Sequence, residues 1–515
     1  MAPEAAHGLD AARWALAWAL GLLGSFAAEA GLEPRPPAPW RRPAPALLAH
    51  AASWTAAHAV LTAILSRPGF AAAVALAAWL VLVLVGRAKF DALREPFVFQ
   101  DFEYFTDALR HPRLYLPFLG WGRLAAGVAG LAAAGVGGWR LEPALAGSAA
   151  VPAWQWRLGW LAAAGAALVL ARAAQGRLGP ASWSAARDLQ AWGLAACLWR
   201  YGLAERRLPR VQGPFAACVL RAPRGEPALP HLVSLQSESF FDARESYPQL
   251  RPELLASYDA LRARALAHGR LIVPAWGANT LRTEFAFLTG LSPRDIGVHR
   301  YQPYRRLAGS GIPTIATALR RLGYRTVCVH PYHGSFYRRD ALMPRLGFDD
   351  FVDVSAFAGV QKTGPYVGDL AVADHVSRLL GRAGGRPLYV HVITMENHGP
   401  LHWETVDESD RRRLLRAGLP PGCDELAVYA RHLGNADAML ASLAATLASL
   451  SRPGGLCLFG DHVPIMPRVY ERLGEPAGHS HYLLWSTREV AAAPPPRETR
   501  AESLAADFLR AMDLL

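Results

Sequence analysis

The first 175 residues alternate between long apolar runs and short polar connections. Five such runs occur, at residues 14–28, 44–65, 69–86, 124–139 and 158–171. A helix needs roughly 20 largely apolar residues to cross a bilayer, and three of the runs reach that length only with flanking residues. The pattern predicts about five transmembrane helices, with four as the alternative count. A signal peptide is the alternative for the first run, but no clear small-residue cleavage site follows it.

A tryptophan-rich amphipathic stretch follows, at residues 181–210. It is either a connector that lies along the membrane surface, with its tryptophans at the headgroup level, or a packing helix of the soluble part. We therefore predict three segments: a transmembrane domain over 1–174, an amphipathic connector over 175–225 and a catalytic domain over 226–515.

Short apolar runs then alternate with segments that carry apolar residues at helical spacing. The strand-like runs are 231–236, 270–276, 324–330, 387–394, 456–460 and 481–485. Near-continuous apolar strands separated by helices predict a doubly wound, mostly parallel α/β sheet that is covered on both faces. Ligands of such sheets bind at the carboxyl ends of the strands, so the residues after each strand are where chemistry is expected.

Metal-ligating residue types follow several of these strands. Glu238 follows the first strand, Thr280 follows the second within GANT, and Asp461 and His462 follow the fifth within GDH. Each motif alone is weak, because a capping aspartate or a solvated glutamate explains it. Together they offer three oxygen ligands and one nitrogen, which suits Mn²⁺, Mg²⁺ or Zn²⁺ in a catalytic site.

Thr280 is the candidate nucleophile. A divalent cation favours the alkoxide of a bound hydroxyl at neutral pH, and the start of the following helix favours a phosphate. The alternative is structural: Thr280 is the N-cap of that helix, with Glu284 in its first turn.

Two further loops carry groups that suit phosphate. HPYHGSFYRRD contains His330, Tyr337 and Arg339, and an arginine can hold two phosphate oxygens in a planar fork. MENHGP contains His398, which is able to donate to phosphate or act as a general acid or base. A solvated basic loop and an ordinary turn are the alternatives.

Composition and charge narrow the class of partner. The 54 Lys and Arg exceed the 42 Asp and Glu, and in a membrane protein this excess predicts contact with anionic lipid headgroups. No basic stripe with interleaved aromatics appears, so we expect no nucleic acid partner. The five cysteines form no CxxC pairs, and Cys328 and Cys457 are predicted to be buried apolar residues.

The order of the motifs resembles the lipoteichoic acid synthase family of phosphoglycerol transferases, in the alkaline phosphatase and sulfatase superfamily. SLQSES, GANTLRTEF, HPYHGSFYRRD, MENHGP and GDH follow the apolar region in that family's order. The resemblance implies an alkaline phosphatase-like domain with Thr280 as nucleophile. It also implies that Glu238, Thr280, Asp461 and His462 bind the metal, usually Mn²⁺.

The resemblance further implies the substrate contacts. His330, Arg339 and His398 match the family's substrate-binding positions, while Tyr337 replaces a tryptophan and Tyr332 replaces an acidic residue. These two replacements put the glycerol contacts in question. His479 and His481 are either extra site residues or ordinary surface or core histidines.

The implied activity is transfer of glycerol phosphate from phosphatidylglycerol to an envelope glycan or glycerol phosphate polymer. The alternatives are phosphoethanolamine transfer, hydrolysis of a phosphodiester or sulfate ester, and a catalytically silent scaffold. The sulfatase nucleophile pattern, Cys or Ser followed by x-Pro-x-Arg, is absent from the site region.

The resemblance implies a multi-pass protein of the bacterial cytoplasmic membrane whose catalytic domain faces the periplasm or the outside. The positive-inside rule, applied to the basic connections after the first and third apolar runs, gives the opposite orientation.

Overall fold

The computed structural model describes residues 3–103, 105, 121–145, 152–223, 228–360, 362–488 and 492–515. The chain divides into two compact units, Met1–Arg207 and Leu208–Leu515.

The first unit is helical. Its helices are α1 (Pro3–Ala28), α2 (Ala44–Leu65), α3 (Pro68–Leu93), α4 (Trp121–Leu141), α5 (Ala153–Gln175), α6 (Ala185–Trp192) and α7 (Leu194–Glu205). Among the described residues, four segments are long and apolar enough to cross a membrane: Asp10–Gly31, Ala44–Leu65, Pro68–Leu93 and Trp154–Gln175. The remaining predicted run, 124–139, lies within α4, whose side chains are described only in part, so a fifth span stays a prediction.

The tryptophan-rich stretch forms the two short helices α6 and α7 within this unit. Trp192 is buried, and the indole N–H of Trp199 donates to Ser53 Oγ of α2 at 2.8 Å. The stretch therefore packs against the helices of the first unit. Its position relative to a membrane surface, and with it the boundaries of the predicted connector, stays a prediction.

The second unit is built on one eight-stranded sheet with a small hairpin beside it. The strands are β1 (His231–Ser237), β2 (Ala267–Ile272), β3 (Arg325–Val329), β4 (Asp350–Val352), β5 (Lys362–Thr363), β6 (Tyr366–Val367), β7 (Leu388–Ile393), β8 (Gly454–Gly460), β9 (Ser480–Ser486) and β10 (Thr499–Arg500). Their order in the sheet is β10-β2-β9-β8-β1-β7-β3-β4, and β5 pairs with β6. All six predicted strands are present.

Helices cover both faces of the sheet. They are α8 (Ala256–Arg262), α9 (Thr280–Thr289), α10 (Pro303–Leu307), α11 (Ile315–Arg321), α12 (Arg339–Leu342), α13 (Asp369–Gly381), α14 (Glu408–Leu414), α15 (Asp424–Ser449), α16 (Pro467–Leu473) and α17 (Ala501–Ala511). In β8, Leu456 and Leu458 pack in one hydrophobic core, while Cys457 and Phe459 pack in the other. This alternation, with both faces buried, confirms the predicted doubly wound class.

One strand departs from the parallel pattern. β9 runs antiparallel to both of its neighbours, β2 and β8, whereas the other pairs in the sheet are parallel. The expectation that site residues follow every strand is therefore wrong for β9. Because its direction is reversed, the residues at its beginning, His479 to His481, lie at the carboxyl-end edge of the parallel strands.

Candidate active site

Three predicted metal ligands meet at the carboxyl ends of β1 and β8. Glu238 follows β1, and Asp461 and His462 follow β8, its direct neighbour in the sheet. One ligand atom from each lies within 4.8 Å of the others. His462 Nε2 is 3.5 Å from both Glu238 Oε1 and Asp461 Oδ2, and all three side chains are buried.

This group fits a divalent cation. Two carboxylates share a buried space. Burial and the nearby charge of Glu238 raise the pKa of Asp461 to about 7, against the opposing effect of His462. Asp461 Oδ2 is buried and has no hydrogen-bond partner among the described residues. Buried charges in proteins are paired or coordinate metals, so this donor set is suited to hold one.

Ser239, which sequence reasoning did not single out, organises the ligands. Its backbone N–H donates to Asp461 Oδ1 at 2.8 Å, and its hydroxyl donates to Glu238 Oε1 at 2.9 Å. Its φ is +54°, a strained value that brings both groups toward the ligands. The sequence feature that could have identified Ser239 is its position directly after Glu238.

Thr280 lies beside the ligands at the start of α9. Its Oγ1 is 3.4 Å from Glu238 Oε2 and 3.4 Å from His462 Nε2. Asn279, with φ +68°, occupies the N-cap position, and Thr280 is the first helical residue. Thr280 is therefore not the N-cap, and its hydroxyl faces the ligand cluster at the positive end of the helix dipole.

The arginine predicted to bind substrate is buried beside α9. Arg339 is only 1% exposed; it pairs with Glu284 Oε2 at 2.7 Å and contacts His330 Nε2 at 3.1 Å. Burial and the guanidinium of Arg339 hold the pKa of His330 well below its usual value, so the ring is neutral and accepts from the arginine. Tyr304 donates to the other oxygen of Glu284 at 2.6 Å.

This network holds Glu284 in the first half of α9. Its partners Tyr304 and Arg339 lie 20 and 55 residues further along the chain, which local sequence pattern does not reveal.

His398 and Tyr337 lie nearer the surface than Arg339. The ring N–H at His398 Nδ1 donates to Gly399 O at 2.7 Å, which leaves Nε2 as the nitrogen able to meet a ligand. Tyr366 of the hairpin has its ring 5.6 Å from that of His398, a neighbour that sequence reasoning missed. Tyr337 has a strained φ of +53°, and its ring lies 4.1 Å from that of Phe336.

Comparison with known proteins agrees with this geometry. A family model described as Sulfatase matches residues 230–514, which is more than half of the chain. The chain belongs to the sulfatase family. This confirms the superfamily implied by the motifs, and members of the superfamily depend on metal.

Two curated relatives of this sulfatase family member come from Rhizobium meliloti (strain 1021). "Capsular polysaccharide biosynthesis protein RkpI" is 32% identical over 284 residues, covering 54% of this chain and 49% of the relative. "Putative cyclic beta-1,2-glucan modification protein" is 29% identical over 248 residues, covering 48% of this chain and 37% of the relative. The chain thus spans half or less of the length of the curated relatives it matches.

The solved structure of a membrane enzyme shows the same fold. The lipooligosaccharide phosphoethanolamine transferase A (EptA) from Neisseria meningitidis, an integral membrane protein, superposes with a TM-score of 0.51 at 12% identity, covering 87% of this chain and 88% of that one. The phosphoglycerol transferase GacH of Streptococcus pyogenes gives a TM-score of 0.49 at 20% identity, covering 57% of this chain and 77% of that one. The match to EptA includes residues of both the helical unit and the α/β unit of this chain.

Proposed function

We propose that the protein is a membrane-anchored transferase that moves glycerol phosphate from phosphatidylglycerol to an envelope glycan or polymer through a covalent Thr280 intermediate. The observation that carries the proposal is the position of Thr280 Oγ1, 3.4 Å from Glu238 and from His462 at the start of a helix. A hydroxyl held between acidic and imidazole ligands becomes a nucleophile when a bound cation or a base favours its deprotonation.

The reaction is a double displacement. In the first step Thr280 Oγ gives up its proton and forms a bond to phosphorus, the bond from phosphorus to the diacylglycerol oxygen breaks, and that oxygen takes up a proton. In the second step an acceptor hydroxyl gives up its proton and bonds to the phosphorus, the bond to Thr280 breaks, and the threonine oxygen takes up a proton. The N–H groups at the start of α9 face the phosphoryl oxygens in both steps.

Glu238, Thr280, Asp461 and His462 would hold the divalent cation, with Mn²⁺ proposed and Mg²⁺ or Zn²⁺ as alternatives. When bound there, the cation supplies Lewis-acid polarisation of the phosphoryl group and a lower pKa for the threonine hydroxyl.

His398 is the side chain proposed to meet the glycerol headgroup or carry a proton, because its Nε2 is left for a ligand. We assign no direct contact with the headgroup to Arg339 or His330. The guanidinium of Arg339 pairs with Glu284 and contacts His330, and all three side chains are buried, so we propose that Arg339 and His330 support the site from within.

The envelope location of the reaction rests on the membrane helices and the relatives. A lipid donor is reached from a catalytic domain held at the membrane, and the names of the curated relatives refer to a capsular polysaccharide and a cyclic β-1,2-glucan. We propose that the domain works on the outer side of the bacterial cytoplasmic membrane on a glycan of this kind. A reporter fused to the C-terminus that is active only in the cytoplasm would contradict this placement.

Replacement of the nucleophile tests the chemistry. Purified protein in detergent is incubated with Mn²⁺ and fluorescent phosphatidylglycerol, and released diacylglycerol and a glycerol phosphate adduct on Thr280 are measured, the latter by peptide mass spectrometry. We expect Thr280→Ala to lower release at least about 100-fold and to remove the adduct, while Thr280→Ser keeps part of both. Wild-type turnover in Thr280→Ala would refute the mechanism.

The same assay separates the alternative chemistries. Labelled phosphatidylethanolamine is supplied in a parallel reaction, and preferential release from it would favour phosphoethanolamine transfer. Release without any transfer to glycan in the presence of acceptor would favour hydrolysis. A protein that forms no adduct and binds no divalent metal would be a silent scaffold.

A further inference from the structure

A second polar cluster lies on the other side of the metal ligands from His398. In the sheet order, β8 and β1 carry the metal ligands, β7 and β3 lie on one side, and β9 and β2 lie on the other. The loops after β7 and β3 carry His398 and Tyr337. The second cluster consists of Glu245, Arg270, His479 and His481, and its residues come from β2, from the start of β9 and from the loop after β1.

Hydrogen bonds tie this cluster to the metal-ligand loops. The backbone N–H of Asp242, four residues after Glu238, donates to His481 Nδ1 at 3.0 Å. Ser480, between the two histidines, donates to the carbonyl of Gly460 at 2.7 Å, and Gly460 directly precedes Asp461. The second cluster is therefore adjacent to the metal ligands at the same edge of the sheet.

The cluster has the composition of a metal site, but the tautomer of His481 argues against metal binding. His481 Nε2 lies 3.4 Å from Glu245 Oε1, and His479 Nε2 lies 3.9 Å from Glu245 Oε2. Because His481 Nδ1 accepts the N–H of Asp242, the proton of the neutral ring is on Nε2. A metal-ligating histidine instead donates with its second nitrogen. His481 Nε2 therefore carries a hydrogen, faces Glu245 at 3.4 Å without forming a hydrogen bond and offers no lone pair to a cation.

The charges of the cluster balance. The pKa of Glu245 is held below its usual value by the hydrogen bond from Arg270, at 2.9 Å, against the opposing effect of burial. Burial lowers the pKa of both His479 and His481, so both rings are neutral at pH 7. The sum is one carboxylate, one guanidinium and two neutral imidazoles, which suits a neutral polar ligand better than an anion.

The cluster is open to a ligand and has an aromatic neighbour. The side chains of Arg270 and Glu245 are 55% and 42% exposed, and that of His479 is 20% exposed. Trp276, four residues before Thr280, packs against Gly478: a Cβ on that glycine would lie 2.6 Å from the indole ring. Trp276 is half-buried, and an aromatic ring next to hydrogen-bonding side chains suits a sugar, which carries apolar C–H groups as well as hydroxyls.

The geometry of the transfer gives this surface a role. The phosphorus in the covalent intermediate carries a headgroup, which we place on the His398 side. The incoming acceptor needs a different approach to the same phosphorus, and the second cluster lies across the metal ligands from that side. We propose that Arg270, Glu245 and His479, beside Trp276, form the subsite that binds a neutral glycan acceptor through its hydroxyls. This inference rests on the proposed function, of which it specifies the acceptor side.

Acceptor kinetics test the subsite. Full-length protein in detergent with Mn²⁺ is given fluorescent phosphatidylglycerol and increasing concentrations of neutral cyclic β-1,2-glucan. We expect Arg270→Ala and His479→Ala each to raise the KM for the glucan about tenfold, the effect of losing a hydrogen bond to a charged or well-placed polar group. The loss should be confined to the acceptor step, so diacylglycerol release without glucan changes much less than the KM.

Arg325→Ala is the matched control. Arg325 forms a similarly exposed pair with Asp350 at 2.7 Å, but it lies at the beginning of a parallel strand, on the opposite edge of the sheet. The KM of the Arg325→Ala variant for the glucan should equal that of the wild type.

Three results would overturn the proposal: an unchanged KM in both cluster variants, a parallel loss of diacylglycerol release, or stoichiometric Zn²⁺ binding that His479→Ala abolishes. If the wild type cleaves no phospholipid, the proposed function fails, and the subsite is then decided by glucan binding alone. Saturation-transfer NMR of the wild type with cyclic β-1,2-glucan should show contacts that Arg270→Ala weakens; an identical signal in the variant would reject the subsite.

Discussion

The ion pair between Arg339 and Glu284 is expected to be essential for the stability of the catalytic unit. The guanidinium is 1% exposed and Glu284 is fully buried, so Glu284→Gln leaves a positive charge inside the protein without its counter-ion. Breaking a buried pair by removing one partner costs about 3–5 kcal/mol. Unfolding entropy of roughly 2.1 cal/mol/K per residue gives the second unit, residues 208–515, a loss in Tm of about 5–8 °C.

The assay is thermal unfolding of the purified full-length protein in detergent, followed by near-ultraviolet circular dichroism. Asp350→Asn is the control: it breaks the exposed pair with Arg325, and exposed pairs contribute about 0–1 kcal/mol. The double variant Glu284→Gln, Arg339→Met removes both charges and should recover most of the lost Tm. A Tm for Glu284→Gln equal to that of Asp350→Asn would refute the reasoning that Arg339 is a buried, charge-compensated residue.

Two further predictions concern the sheet. Burial lowers the pKa of His391 to about 3, so the folded state resists protonation of this ring, and the free energy of unfolding falls as the pH drops below 6.5. His391→Phe should therefore lose about 2 kcal/mol less stability than the wild type between pH 7.5 and pH 5. Equal losses of the two proteins in thermal scans would contradict this. A Cβ on Gly460 would lie 1.8 Å from the carbonyl oxygen of Phe240, so Gly460→Ala should displace the loop after β1, lowering both Tm and Mn²⁺ affinity. Gly385→Ala, at a position with no neighbour within 4 Å, serves as control, and a Gly460→Ala protein that matches it in titration calorimetry would reject the prediction.

The fold of the second unit was largely predictable from the sequence because each strand is marked by a short, local pattern of residues. A buried parallel strand is a short apolar run, and each predicted run from 231–236 to 481–485 became a strand. The chemistry was also visible locally, since the carboxyl ends of neighbouring parallel strands share one edge. That rule was sufficient to predict that Glu238, Asp461 and His462 meet, with Thr280 beside them.

The sequence determined the number and the orientation of the membrane spans less well. Length and apolar composition identify helices that can span a bilayer, and four are found in the described residues. A count of spans depends on weakly apolar segments such as 124–139, and orientation depends on charges outside those helices. These are properties of the chain in a bilayer, which apolar pattern alone does not fix.

What the tertiary structure decided was how the polar residues are used. The sequence presents Arg339 as an arginine in a basic loop, but its partner Glu284 lies 55 residues earlier and both side chains are buried. Contact of Arg339 with phosphate stays a prediction. His479 precedes β9 and His481 is the second residue of that strand. Only the reversed direction of β9 brings them to the edge that carries the metal ligands. Spacing along the chain determines which residues share a face of one element; strand order, strand direction and burial determine which of them meet a substrate, because these depend on contacts between residues far apart in sequence.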